Sequence, residues 1–337
     1  TFKSRSFMPL PSTPTHAHGP HDPPQWMVQG LSYYPLSLYF RLRFGHSAWK
    51  ISVDAGLSCP NVDGTVSRQG CIYCNIPSLS PSRRREAAGR SVAQQIADGR
   101  QRLIRRYGEQ RAGALIAYFQ PATNTHGPVD RLRAIWREAL QQPGVVGLAV
   151  GTRPDCAADA ALDILAELAA ERWVSVEYGV QSIHQHSLQW LRRGHDFACC
   201  ESAVNRTLAR GLNVAVHLIL GLPGESRDEM NATAETMARL RVNMVKLHNL
   251  HVVRDTPLAT LWRSGGISLP SLEEYAAEVV DFLERLPPDC VIDRLSGDAP
   301  PEFFLAPQWS QDKSAVRRAV EEEFVRRGTR QGSHWLG

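Results

Sequence analysis

The sequence predicts an α/β chain: a partial (βα)6 barrel of the TIM type with a C-terminal extension. Three observations predict it. Six short apolar runs recur along the chain, and a stretch of helical periodicity follows each. The runs are near-continuous in Val, Ile and Leu, as strands of a parallel sheet covered on both faces require. Every run also ends in a polar or glycine-rich segment, and in such folds the reactive groups sit at the C-terminal strand ends.

The runs are Trp49–Val53, Ala114–Phe119, Val145–Val150, Trp173–Val180, Val214–Leu220 and Met244–Leu250. Between them, 91–107 places Ile96, Leu103, Ile104 and Tyr107 on one face. Stretches 128–141, 157–171, 184–211 (broken at Gly194), 226–240 and 271–286 repeat the helical pattern, with a capping-box pair at Ser226 and Glu229. Residues 1–30 are rich in Pro, His and Ser and have neither period, so a flexible leader is expected there. Its His16, His18 and His21 lack an acidic or thiol partner and are read as incidental. The core barrel is expected over 31–286, with a cysteine loop at 55–77. Residues 287–337 form an extension holding one strand-like run, Val291–Leu295, and a helix over 312–327.

With 43% apolar and 21% charged residues, the 337-residue chain reads as a globular enzyme rather than a disordered or fibrous protein. No stretch approaches 18 consecutive apolar residues, so no membrane span is expected. Seven irregularly spaced Cys in a chain of this size suit a reducing, cytoplasmic setting and metal or catalytic thiols. The net charge of +4 does not by itself demand a nucleic acid. The positive charge is nevertheless almost all Arg, in clusters at 83–85, 102, 105–106, 192–193, 317–318 and 326–327. These are either solvated helix faces or a phosphate-binding rim.

Cys59, Cys71 and Cys74 form a C-x11-C-x2-C pattern directly after the first run. Gly64, Gly70, Asn61 and Asp63 let that loop turn several thiols towards one point. Three thiolates without an evident fourth partner suit an iron–sulfur cluster with one open iron. The alternative is a structural zinc site, which needs a fourth ligand, and His46 is the nearest one.

The chain resembles radical S-adenosylmethionine (SAM) enzymes, and within them the YhcC/YtqA family, related to the elongator catalytic subunit and HemN-type oxidases. The resemblance rests on Lys50–Gly56, Cys59-Pro-Asn61, Tyr118-Phe-Gln120, Thr123–Thr125 and Val150–Cys156. It continues through Glu177–Ser182, Arg193–His195, His217–Glu225, Lys246–His248 and Ala306–Trp309, covering about residues 30–333. It implies that Cys59, Cys71 and Cys74 hold a [4Fe–4S] cluster whose open iron binds SAM. The usual spacing is C-x3-C-x2-C; the longer loop is shared with the resembled family and costs little closure entropy.

The resemblance also places Tyr73 near the adenine, and Gln120, Thr123 and Asn124 at the amino acid moiety of SAM. Gln181 and Arg193 match SAM-contacting positions of HemN-type relatives. Thr152, Arg153 and His217 are carried with them as cofactor-binding. Gly151 stands where relatives often have a carboxylate, so ribose binding is not expected from that position. Lys246 and His248 share one strand face by the period of two and are the expected catalytic pair. The expected reaction is reductive cleavage of SAM to a 5′-deoxyadenosyl radical, used to modify a wobble-uridine side chain of tRNA. Flavodoxin or ferredoxin would supply electrons. No acetyltransferase domain follows the barrel, so rearrangement or trimming of an existing substituent is the expected chemistry. A small-metabolite substrate and a non-catalytic iron–sulfur sensor are the alternatives.

Overall fold

The computed structural model describes residues 23–79 and 89–337. His16, His18, His21 and the 83–85 arginine cluster lie outside them, as do residues 1–22 of the expected leader. The rest of that leader packs: Trp26 is buried and its Nε1 donates to Pro288 O at 2.8 Å.

Strands β1 (Ala48–Val53), β2 (Ala114–Phe119), β3 (Val145–Thr152), β4 (Trp173–Gln181), β5 (Asn213–Leu220) and β6 (Met244–Asn249) match the six apolar runs. The short β7 (Val252–Val253) follows, then β8 (Val291–Arg294) and β9 (Phe304–Ala306). Among the described residues one sheet has seven strands in the order β1-β2-β3-β4-β5-β6-β8, every pairing parallel. The seventh strand thus comes from the C-terminal extension. No ladder joins β1 to β8 among the described residues, so the curled sheet is an open half-barrel rather than a closed one.

Period-two alternation divides each strand between two layers. Outward residues such as Leu148, Val150, Val176 and Val216 pack on crossover helices Val129–Leu140, Asp159–Ala169 and Phe197–Leu208 through Trp136, Ile164 and Val204. Inward residues at the N-terminal strand ends, among them Ala149, Trp173, Ala215 and Met244, form a second cluster. It is plugged by helix Leu36–Phe44, which lies before the alternation that the sequence announces. Phe40 meets the Trp173 ring edge-on at 5.3 Å, and Trp173 Nε1 donates to Tyr39 OH at 3.0 Å. Each large side chain fully buried there is worth about 1.5–3 kcal/mol.

Helix boundaries follow local chemistry. Ser91 with Gln94, Ser226 with Glu229 and Ser271 with Glu274 close capping boxes at three helix starts. Gly194, at φ +71°, breaks the 184–211 stretch into Gln185–Trp190 and Phe197–Leu208.

Helix Leu272–Glu284 carries one misfit. Glu278 Oε2 is buried without a hydrogen-bond partner. Burial, with Glu274 and Asp281 adding repulsion, pushes its carboxyl up to about 7. The folded chain therefore keeps a proton that the unfolded chain releases near pH 4.5, and stability falls as pH rises from there to about 7. Glu278→Gln is expected to raise the thermal midpoint at pH 8 and leave it unchanged at pH 4.5. An equal shift at both pH values would count against a buried proton.

Candidate active site

The strand ends converge on a cavity of about 170 Å³ at the C-terminal mouth of the half-barrel. Cys59, Cys71 and Cys74 line one wall; Tyr73, Gln120, Thr123, Thr152, Arg153, Gln181, Arg193 and His217 line the rest. Eleven of the fourteen residues singled out in the sequence thus come together.

The cysteine loop is held at three points. A short helix, Pro60–Asp63, starts directly after Cys59, and Gly64 ends it at φ +97°. Val66 N and Ser67 N donate back to Pro60 O. Asp63 pairs with His126 beyond β2 at 3.0 Å. Asn61 and Arg193 then reach the thiols: Asn61 Nδ2 and Arg193 Nη1 each lie 3.3 Å from Cys71 Sγ. Burial, with Cys71 and Cys59 beside it, pushes the Cys74 thiol up to about 12. A Cys74 thiolate in this dry pocket would need a cation beside it, and the iron of a cluster would supply one.

Of five non-glycine residues with positive φ among the described residues, two line this cavity, Ala122 (φ 62°) and Gln181 (φ 71°). Such backbone costs about 1–3 kcal/mol and collects at ligand sites. Thr123 Oγ1, Arg153 Nη1 and Arg193 Nε are buried with no partner among the described residues. They are donors and acceptors left for a polar ligand, and with the thiols they fit a cluster and an amino-acid-bearing cofactor. The zinc alternative fares less well. No three Cys, His, Asp or Glu among the described residues converge as a single-ion site does. His46 sits at the far end of β1, beside Gly113.

Three predicted residues stand apart from the cavity lining. Asn124 is buried, and its Nδ2 donates to Phe119 O, Pro121 O and Gly151 O, tying the ends of β2 and β3. Those ends run so close that a Cβ on Gly151 would lie 3.0 Å from Phe119 O, which accounts for glycine at that position. Lys246 lines a second, larger cleft. His248 stacks on His217 at 5.6 Å, and the Gly297 backbone leaves no room for a Cβ beside its ring.

Sequence reasoning missed an ionic layer below the cavity, midway along the half-barrel. Lys50 on β1 donates to Glu177 Oε1 on β4 at 2.7 Å and pairs with Asp293 on β8. Glu177 Oε2 meets His217 Nε2 on β5 at 2.8 Å and lies 3.6 Å from Lys246 Nζ on β6. Lys246 Nζ donates to Tyr118 OH on β2 at 2.8 Å. Burial would raise the Glu177 carboxyl, but Lys50, Lys246 and His217 hold it well below the usual carboxylate range. Burial with the Lys246 charge pushes His217 down to about 4, so it is neutral at pH 7 and donates Nε2–H to the carboxylate. Burial also pushes Lys246 down to about 8 despite Glu177. A charged residue in the middle of a strand buried on both faces must find a partner. Lys50, Glu177 and Lys246 each break an apolar run, and that was the available signal.

Three thiols and a ring of polar strand ends at the mouth of a parallel half-barrel define a radical SAM protein, and this chain belongs to the radical SAM superfamily. The Radical SAM superfamily model matches residues 64–237, and the Radical_SAM C-terminal domain model matches 242–326. YtqA of Bacillus subtilis (strain 168) is 37% identical over 300 residues, which cover 89% of this chain and 92% of that protein. YhcC of Escherichia coli (strain K12) is 36% identical over 299 residues, 87% of this chain and 94% of YhcC. A tRNA uridine(34) acetyltransferase of Methanocaldococcus infernus is 32% identical over 159 residues, 46% of this chain and 29% of that protein. Among solved structures, the archaeal Methanocaldococcus infernus Elp3 with an N-terminal deletion shares the fold at a TM-score of 0.63 and 18% identity. The match covers 85% of this chain and 64% of that one. The cofactors of this superfamily are a [4Fe–4S] cluster and SAM. No helix among the described residues is long and apolar enough to cross a membrane.

Proposed function

We propose that the chain is a radical SAM enzyme that modifies the side chain of the wobble uridine in tRNA. The observation that carries the substrate is the 159-residue alignment with a tRNA uridine(34) acetyltransferase. Held in the cavity by its lining residues, a [4Fe–4S] cluster and SAM would supply the chemistry of hydrogen-atom abstraction by a 5′-deoxyadenosyl radical.

The chain's own residues prepare that chemistry. Cys59, Cys71 and Cys74 would ligate the cluster, with Asn61 and Arg193 N–H groups moderating the charge on Cys71. Tyr73, Gln120, Thr123, Thr152, Arg153, Gln181, Arg193 and His217 would meet SAM, while Asn124 fixes the strand ends that carry some of them. Lys246, with a pKa of about 8 and a hydrogen bond to Tyr118, can hold or release a proton at Nζ near neutral pH. His248, stacked on His217 and with Nε2 buried without a described partner, would be the second catalytic group. A flavodoxin or ferredoxin would deliver the electron.

Mass spectrometry of tRNA nucleosides tests the substrate. Deletion, and replacement by Cys59→Ala, are both expected to remove one wobble-uridine derivative and accumulate its precursor. An unchanged nucleoside profile in the deletion strain would sink the reading.

A further inference from the structure

The half-barrel is open between its two edge strands, and a cleft of about 920 Å³ lies there. Its lining carries seven Lys and Arg against one carboxylate, Asp293, which Lys50 already engages. The cations come from both lips. Arg102 and Arg106 stand on helix Val92–Tyr107, which packs against β1; Arg294 ends β8, and Lys313 and Arg317 stand on helix Lys313–Arg327.

Part of this charge is uncompensated, and among the described residues Arg317 meets only the exposed carboxylate of Glu321, at 3.8 Å. Arg102 and Arg106 form no ion pair with a described residue. Arg294 and Lys313 share one carboxylate, Asp298, at 3.4 and 2.8 Å. Arg106 is nonetheless held in place: it lies 5.2 Å from the Tyr107 ring centroid, and Tyr107 stacks on Trp49 at 4.5 Å. A single phosphate is met by two or three donors at one point. Cations along both lips of a long cleft match a ligand that repeats its charge. The cleft is also continuous with the cysteine cavity, since Tyr118 and Gln120 line both.

We infer that this cleft is an RNA-binding surface whose Arg102, Arg106 and Arg317 grip the phosphodiester backbone and bring one nucleotide to Tyr118 and Lys246. The inference rests on the tRNA reading above and assigns a place to that substrate. It also separates the arginine clusters: 102, 106 and 317 belong to the cleft, whereas 192–193 and 326–327 do not line it.

The test is binding of bulk tRNA, and of a single-stranded RNA of roughly 20 nucleotides, by the anaerobically reconstituted chain across a salt series. Arg102→Glu/Arg106→Glu and Arg317→Glu are expected to weaken binding at least tenfold at about 0.1 M salt. They should also flatten the slope of log K against log salt by about 1–2. Arg239→Glu, an exposed charge on helix Arg227–Arg239 outside the cleft, is expected to stay within about twofold of the parent. Arg102→Gln/Arg106→Gln repeats the test if charge reversal impairs folding. Three results overturn the inference: cleft variants binding like the parent, the Arg239 control falling equally, or a parent that binds neither RNA. The nucleoside profile is read independently. If it stays unchanged on deletion while the cleft variants lose RNA, the cleft stands and the wobble-uridine substrate falls.

Discussion

Anaerobic reconstitution of Cys74→Ala with iron and sulfide is expected to leave roughly a tenth or less of the parent's bound iron and no measurable 5′-deoxyadenosine from SAM. The cavity is built so that one missing thiolate matters. Asn61 and Arg193 each turn an N–H towards Cys71, and nothing in the described lining offers another soft ligand near Cys74. The fold itself should persist, because the sheet's two apolar clusters lie elsewhere. The thermal midpoint of the variant without iron should therefore match that of the parent without iron. Iron content and the visible absorption of the cluster read the result without reference to turnover. A variant that kept the parent's iron and its SAM cleavage would remove Cys74 from the ligand set.

The second large effect is on stability. Glu177→Gln should destabilise the chain by about 3 kcal/mol at pH 7, because it leaves buried Lys246 without its counter-charge. Lys50 keeps Asp293, so the loss falls mainly on β4, β5 and β6. The sign against pH follows from the depressed Glu177 carboxyl. Its contribution is present above about 4.5 and is lost as pH falls through the folded value, so parent and variant should converge on acidification. Adding Lys246→Met to Glu177→Gln should recover part of the loss, since it removes the stranded ammonium. Denaturant unfolding of the four chains at pH 7 measures the coupling. Strict additivity would mean that the two groups do not act on each other.

The sequence announced the outer architecture because a strand covered on both faces can only be apolar, and its six runs are unbroken enough to count. The three cysteines were legible for a different reason: few structures have a use for that spacing. Helix Leu36–Phe44 was not legible, since Leu36, Leu38, Phe40, Leu42 and Phe44 spread apolar side chains around the helix instead of along one stripe. Asn124 had the residue type of a ligand, but its amide serves three carbonyls of the neighbouring strand ends. Asp293 lay in a segment read as an appendage. Only the register of β8 against β6 reveals that it faces Lys50 across the open seam.

That seam has a bearing on assembly. Lys50 and Asp293 are 243 residues apart, and Glu177 stands 127 residues after Lys50. A chain emerging from the ribosome exposes the three thiols early, then lays down five more strands around a lysine whose second carboxylate has not yet been made. Contacts this distant in sequence are closed late, because their loop entropy must be met first. The floor beneath the thiols therefore becomes neutral only when β8 docks. A chain that stops short of residue 293 carries every cysteine of the cluster loop over an unbalanced charge.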